Sequence, residues 1–206
     1  GAGASGASGG EDPSGEVSAV TEEDLTTCKI TTRDAKGPYF EPGAPIRSNL
    51  RIADLDEPGV RLGVEGRVLG PSCQTPLAGY TLDVWQADAS GNYYAGADNA
   101  YRLRGKIKTD ALGRYRFETI LPGRYGDDAG IRPAHLHVSF LSPGGNVILT
   151  TQIYFAGDPY LGQADYCTRS GTCNSSDPNR ILKLRNGFLS NVAGKLSTFN
   201  VVLPRT

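Results

Sequence analysis

His135 and His137 are the only histidines in this 206-residue sequence, and one residue separates them in Arg132-Pro133-Ala134-His135-Leu136-His137-Val138-Ser139-Phe140. Along a strand, successive side chains face opposite ways. His135, His137 and Ser139 therefore share one face, and Leu136, Val138 and Phe140 share the other. The second face reads as core, while the first presents two imidazoles, and neutral imidazole is the commonest metal ligand. A strand with two incidental histidines is the plainer reading. The shared face and the lack of any other histidine weigh against it. Two imidazoles do not complete a metal site, so further donors must come from elsewhere in the chain.

Tyrosine supplies a different kind of donor. Phenolate is a hard anionic oxygen that suits a small, highly charged cation, and a cation lowers the phenol pKa of about 10 enough for it to bind deprotonated. Most of the 10 tyrosines should be ordinary packing residues. Two segments that break the strand rhythm stand out, because loops held by a rigid scaffold commonly carry function. One is Ala87 to Arg104, which contains Gly91-Asn92-Tyr93-Tyr94; the other is Pro122-Gly123-Arg124-Tyr125-Gly126, just before the histidine strand.

The elements that must position these groups read as short strands separated by turns. Candidates are Val64 to Leu69, Tyr80 to Gln86, Arg114 to Ile120, Ala134 to Phe140, Val147 to Phe155 and Thr198 to Leu203. With 27 Gly, 13 Pro and weak helical periodicity, the expectation is an all-β fold. Specifically, it is a β-sandwich of short, mostly antiparallel strands with long functional loops and little helix. Gly37 to Pro45 reads as an extended crossing segment, since Pro disfavours helix in the residue before it. Residues 1–20, rich in Gly, Ala and Ser, read as a flexible leader or linker, and residues 21–206 as one catalytic domain.

A net charge of −1 gives no basic surface for nucleic acid, and no apolar run reaches membrane-spanning length. Cys28, Cys73, Cys167 and Cys173 lack C-x-x-C spacing, which argues against zinc ribbons and redox dithiols. Two disulfides, Cys28 with Cys73 and Cys167 with Cys173, are the favoured reading over four unpaired thiols, and disulfides imply an extracellular protein. With no methionine and Gly1 at the start, the expectation is a processed or trimmed product.

Several stretches together resemble the intradiol ring-cleavage dioxygenases, which open catechols between their hydroxyls with non-haem Fe(III). They are Gly37-Pro38-Tyr39-Phe40, Asp83-Val84-Trp85-Gln86-Ala87-Asp88 followed by Gly91-Asn92-Tyr93, and Leu103-Arg104-Gly105. They continue with Thr109-Asp110, Gly113-Arg114-Tyr115, Pro122-Gly123-Arg124-Tyr125, Arg132-Pro133-Ala134-His135-Leu136-His137 and Thr150-Thr151-Gln152-Ile153-Tyr154-Phe155. The resemblance implies one Fe(III) per chain held by Tyr93, Tyr125, His135 and His137. Tyr93 is preferred to Tyr94 because it stands two residues after Gly91. Tyr125 would be the ligand displaced by substrate. The resemblance also implies that Arg132 and Gln152 are active-site residues and that Gly37, Pro38 and Tyr39 border the substrate. Small catechols and O2 would be the substrates and cis,cis-muconate-type acids the products. The cysteine placement is most similar to secreted bacterial and fungal members. The long N-terminal helical segment of the intracellular members has no counterpart, so their dimer interface does not carry over and a monomer is favoured. Two rivals remain: a metal-free secreted β-sandwich binding module, and a zinc hydrolase built on His135 and His137 with a carboxylate.

Overall fold

Apolar alternation divides the chain between two sheets, whose facing sides make the core. The computed structural model describes residues 28–206, so the leader assigned to residues 1–20 lies outside the described residues. One sheet is built on β1 (Arg61–Leu69), which pairs antiparallel with β4 (Arg114–Ile120). Along its other edge β1 runs parallel to β11 (Val192–Thr198) and then to β12 (Val201–Val202), with β10 (Arg185–Leu189) outside β11. The second sheet has the order β3 (Arg104–Lys108), β2 (Thr81–Gln86), β7 (His135–Leu141), β8 (Val147–Phe155) and β9 (Ile181–Leu182). A hairpin of β5 (Tyr125–Asp127) and β6 (Gly130–Arg132) stands apart, and α1 (Tyr166–Arg169) is a single helical turn.

Leu62, Val64, Tyr115 and Phe117 from the first sheet meet Leu82, Val84, Leu136, Val138, Phe140 and Ile153 from the second. In β2, β4 and β7 the core residues are alternate positions along the strand, as expected for the histidine strand, and the fold is the all-β sandwich expected of short strands separated by turns. The strand expected over Thr198 to Leu203 is instead split, because the backbone leaves the ladder at Phe199 and Asn200 between β11 and β12. β1 begins at Arg61, three residues before its expected start. Arg61 is buried and donates to the Asp54 and Ala53 carbonyls, so a charged residue opens the strand. β3, β10 and β11 went unrecognised because their sequences lack period-two contrast: β3 has only Ile107 as a large apolar residue, and β10 is mostly exposed.

All four cysteines are paired as expected, Cys28 with Cys73 and Cys167 with Cys173, at Cα separations of 5.8 and 5.3 Å.

Candidate metal centre

Register carries the histidine face across three strands. His137 lies opposite Trp85 on β2 and Gln152 on β8, and His135 lies opposite Tyr154. This outer face is roofed by loops, so both imidazoles are buried. The Trp85 indole stacks on His137, with centroids 5.0 Å apart and planes 6° from parallel. Gly37 approaches the same imidazole from the opposite chain end: at φ +70° it sits where an added Cβ would lie 3.3 Å from His137 Cε1.

Tyr93 and Tyr94 are sent in different directions by Asp88, whose carboxylate organises the loop after β2. Its Oδ1 accepts from the Ser90 and Asn92 amides at 2.8 and 2.9 Å, and its Oδ2 accepts from the Tyr94 hydroxyl at 2.7 Å. Burial pushes the Asp88 carboxyl up, but these hydrogen bonds outweigh it and hold the group below the usual carboxylate range. Tyr94 is thereby tied to Asp88, with the Arg102 guanidinium 4.0 Å over its ring, and Tyr93 turns inward. The Tyr93 ring stands edge-on to Tyr125 at 5.6 Å and lies 6.3 Å from His137. Tyr125 opens the β5–β6 hairpin and lies 5.4 Å from His135, and the two imidazoles are 4.9 Å apart. The four side chains expected to act together converge.

Their polar atoms are oriented as donors to a shared ligand. His135 Nδ1 lies 2.7 Å from the Pro133 carbonyl, which can only accept, so the ring proton sits on Nδ1. The Nε2 lone pair is left facing Tyr125 Oη at 3.2 Å and Arg132 Nη1 at 3.1 Å. Tyr93 Oη and both His137 nitrogens are buried without a hydrogen-bond partner. Buried polar atoms are rarely left so, and these belong to neighbouring rings, Tyr93 lying 6.3 Å from His137, which marks a place for a ligand.

Protonation fits a cation. Burial, then the Arg132 charge, drives His135 down to about 3, and burial with the adjacent His135 drives His137 well below the usual range. Both rings are neutral at pH 7. Burial, then the neighbouring Tyr125, pushes Tyr93 far up. Burial pushes Tyr125 up to about 12, against the opposing pull of Arg132. Phenols this reluctant to ionise would become phenolates only beside a strongly charged cation. Among the described residues, no group of three or more His, Cys, Asp or Glu side chains could hold a metal. The donors that stand nearest the two histidines are the tyrosine oxygens, and oxygen with nitrogen is a hard donor set of the kind that suits a small, highly charged ion.

Arg132 and Gln152 stand beside this cluster. Arg132, only 2 % exposed, is no surface ion-pair residue. Its Nη2 donates to Gln152 Oε1 at 2.7 Å and its Nη1 to Tyr125 Oη at 3.2 Å. Gln152 in turn donates to the Ala35 carbonyl at 2.8 Å. Tyr39 stacks on Tyr93 at 4.2 Å and stays 39 % exposed, whereas Pro38 is simply exposed. Cys28 and Cys73 line a separate cleft with Leu69, Phe199 and Val202.

Several supporting residues escaped sequence reasoning. The Tyr154 hydroxyl lies 2.9 Å from both Gln152 Oε1 and Asp34 Oδ2, and Asp34 accepts from the fully buried Arg180 at 2.5 Å. Tyr154 was findable, since it stands two residues after Gln152 and so shares its face. Asp34 and Asp165 come from irregular segments and Arg180 from a short 3-10 turn, and none of these gives such a signal.

The Dioxygenase family profile (Dioxygenase_C) matches residues 35–204. Catechol 1,2-dioxygenase 2 of Acinetobacter lwoffii is 37% identical over 159 residues, covering 68% of this chain and 57% of that protein. The chain thus spans little more than half the length of that relative. Chlorocatechol 1,2-dioxygenase of Rhodococcus opacus is 30% identical over 195 residues, covering 84% of this chain and 72% of that one. Among solved structures, the dioxygenase domain of a dioxygenase carbohydrate-binding protein fusion from Streptomyces sp. SirexAA-E superimposes with a TM-score of 0.69 at 35% identity. That match covers 86% of this chain and 100% of the other. Since the matched profile runs through both tyrosines, both histidines and the strands that hold them, this chain belongs to the intradiol ring-cleavage dioxygenase family.

Proposed function

We propose that the chain is a secreted, iron(III)-dependent intradiol dioxygenase that cleaves catechol-type diols between their hydroxyls with O2, giving muconate-type diacids. One observation carries this reading: Tyr93, Tyr125, His135 and His137 converge, with buried oxygen and nitrogen atoms that the protein itself leaves unpartnered. Those four residues would hold one Fe(III), whose chemistry is Lewis acidity toward the diol oxygens and the electron delocalisation that opens the ring to O2.

The chain's own groups supply the rest. Tyr125 is suited to take up a substrate proton on Oη, because Arg132 Nη1 already donates to that oxygen and would hold the resulting phenol in place. Tyr93 Oη makes no such hydrogen bond and would serve only to hold the ion. Arg132 keeps its charge at any working pH. From 3.1 Å beyond His135 Nε2 it can stabilise negative charge that develops on the ring. Gln152, held by Ala35 and Tyr154, fixes the guanidinium plane. Tyr39 offers a half-exposed aromatic wall for a planar substrate. The buried imidazoles and Trp85 keep bulk water from the inner side.

Oxygen uptake against a panel of catechol, chlorinated catechols, carboxylated catechols and trihydroxybenzenes, with products identified, is the test. Stoichiometric O2 consumption, a diacid product and an intense visible tyrosinate band are expected. Colourless, iron-free protein that is inert to every ortho-diphenol would overturn the reading. Secretion is supported by the two disulfides, which persist in oxidising compartments. Activity should appear in the medium of the native host and not in its cell extract.

A further inference from the structure

Arg132 is held from two sides. On one side is the sheet, through Gln152. On the other is a short irregular loop after β8 that neither the strand pattern nor the metal site accounts for. Cys173 Sγ lies 3.3 Å from Arg132 Nη2 and 3.6 Å from Gln152 Nε2, within sulfur hydrogen-bond range of both. At the other end of the same loop, Asp165 is fully buried, with Oδ2 3.6 Å from Arg132 Nε. Neither Asp165 Oδ2 nor Arg132 Nε has any other partner. The second carboxylate oxygen, Oδ1, accepts from the Cys167 and Thr168 amides at 2.8 Å, which fixes the turn of α1. The Cys167–Cys173 bridge closes that turn back on itself. The Tyr166 ring, carried by the same turn, faces the Arg132 guanidinium at 6.0 Å. Asp165 and Cys173 thus reach one guanidinium from the two ends of a loop whose ends a covalent bond holds together.

We propose that the disulfide-closed loop from Asp165 to Cys173 is the positioning element of Arg132. Asp165 sets the guanidinium by charge and Cys173 Sγ by contact, and the bridge keeps both at the distances that aim Nη1 into the site. Asp165 and Cys173 hydrogen-bond or ion-pair with Arg132 and Gln152 and with none of Tyr93, Tyr125, His135 and His137, so the loop acts on the diol step and not on metal retention. The assay rests on the ring-cleavage reading, but the proposal concerns how one arginine is aimed.

The test compares the iron-loaded protein with the double variant Cys167→Ala/Cys173→Ala and with Asp165→Asn. The asparagine keeps the capping oxygen but removes the charge, so it tests the proposal even if the double variant folds poorly. Both are expected to keep iron content and the visible band, to lower kcat by roughly ten- to a hundredfold, and to weaken anaerobic binding of catechol. In an Arg132→Lys background, both should have little further effect. Unchanged kcat and anaerobic binding in Asp165→Asn would overturn the proposal. So would effects that add fully to Arg132→Lys. Parent protein that neither binds nor cleaves any diol would instead sink the functional reading.

Discussion

Tyr93 and Tyr125 are chemically the same residue, and their surroundings set them apart. Tyr93 Oη is buried and unpartnered, while Tyr125 Oη already receives a hydrogen bond from Arg132. Tyr93→Phe should therefore lose iron and colour, since removing it deletes a donor that nothing replaces. Tyr125→Phe should keep much of its iron but exchange ligand for substrate poorly. Iron content and stopped-flow binding of catechol measure the two effects. Asp83 shows a different consequence of burial. Desolvation pushes its carboxyl up to about 6 from the ordinary 3.8, and the Lys106 ammonium 3.9 Å away only partly offsets this. A carboxyl whose folded pKa exceeds its unfolded one binds an extra proton in the native state. Its stabilising contribution is complete below about pH 4 and is lost as pH rises through 6. Asp83→Asn should remove that slope, gaining of order 1 to 3 kcal/mol relative to the parent at pH 7. Urea midpoints of the two proteins from pH 4 to 7 would show the difference.

Strands and loops divide the work of building the site. β7 sets the histidine phase, and the pairing of β7 with β2 and β8 brings Trp85, Gln152 and Tyr154 to the same face. The tyrosines arrive on loops, and the two loops meet at Gly91. Its φ is +88°, and an added Cβ would collide with the Arg124 carbonyl and stand 3.1 Å from Tyr125 Cβ. Gly91→Ala therefore costs about 1 to 2 kcal/mol for left-handed backbone alone, and the collision pushes the Tyr93 loop off the Tyr125 loop. Iron affinity should fall together with the melting temperature. A variant that melts early yet binds iron normally would show that the two loops do not need this contact.

Across the whole molecule, the two disulfides divide stability from aim. Cys28–Cys73 closes a separation of 45 residues and Cys167–Cys173 one of 6. Loop-closure entropy then assigns about 4 kcal/mol to the first and about 2 kcal/mol to the second. Cys28→Ala/Cys73→Ala should show the larger loss in denaturant unfolding and near-parental turnover while folded. The shorter bridge should cost less stability and more rate. A second long-range tie is buried Arg180, which binds Asp34 and the Gln152 carbonyl and so anchors the stretch just before the crossing segment to β8 behind the site.

Residue type and period-two alternation were enough to place two imidazoles on one face, to point to an all-β sandwich and to phase β2, β4 and β7, because those properties are local to a strand. The ordered motifs named Tyr93, Tyr125, Arg132 and Gln152 as candidates. What alternation could not reach is long-range: Asp88 turning Tyr94 away from Tyr93, the stacking of Trp85 on His137, and Asp165 with Cys173 beside Arg132. Only the folded chain decides these, since the first depends on the backbone path of one loop and the other two join segments far apart in sequence. The burial that neutralises both histidines and holds back both phenols likewise exists only once the loops close over the sheet.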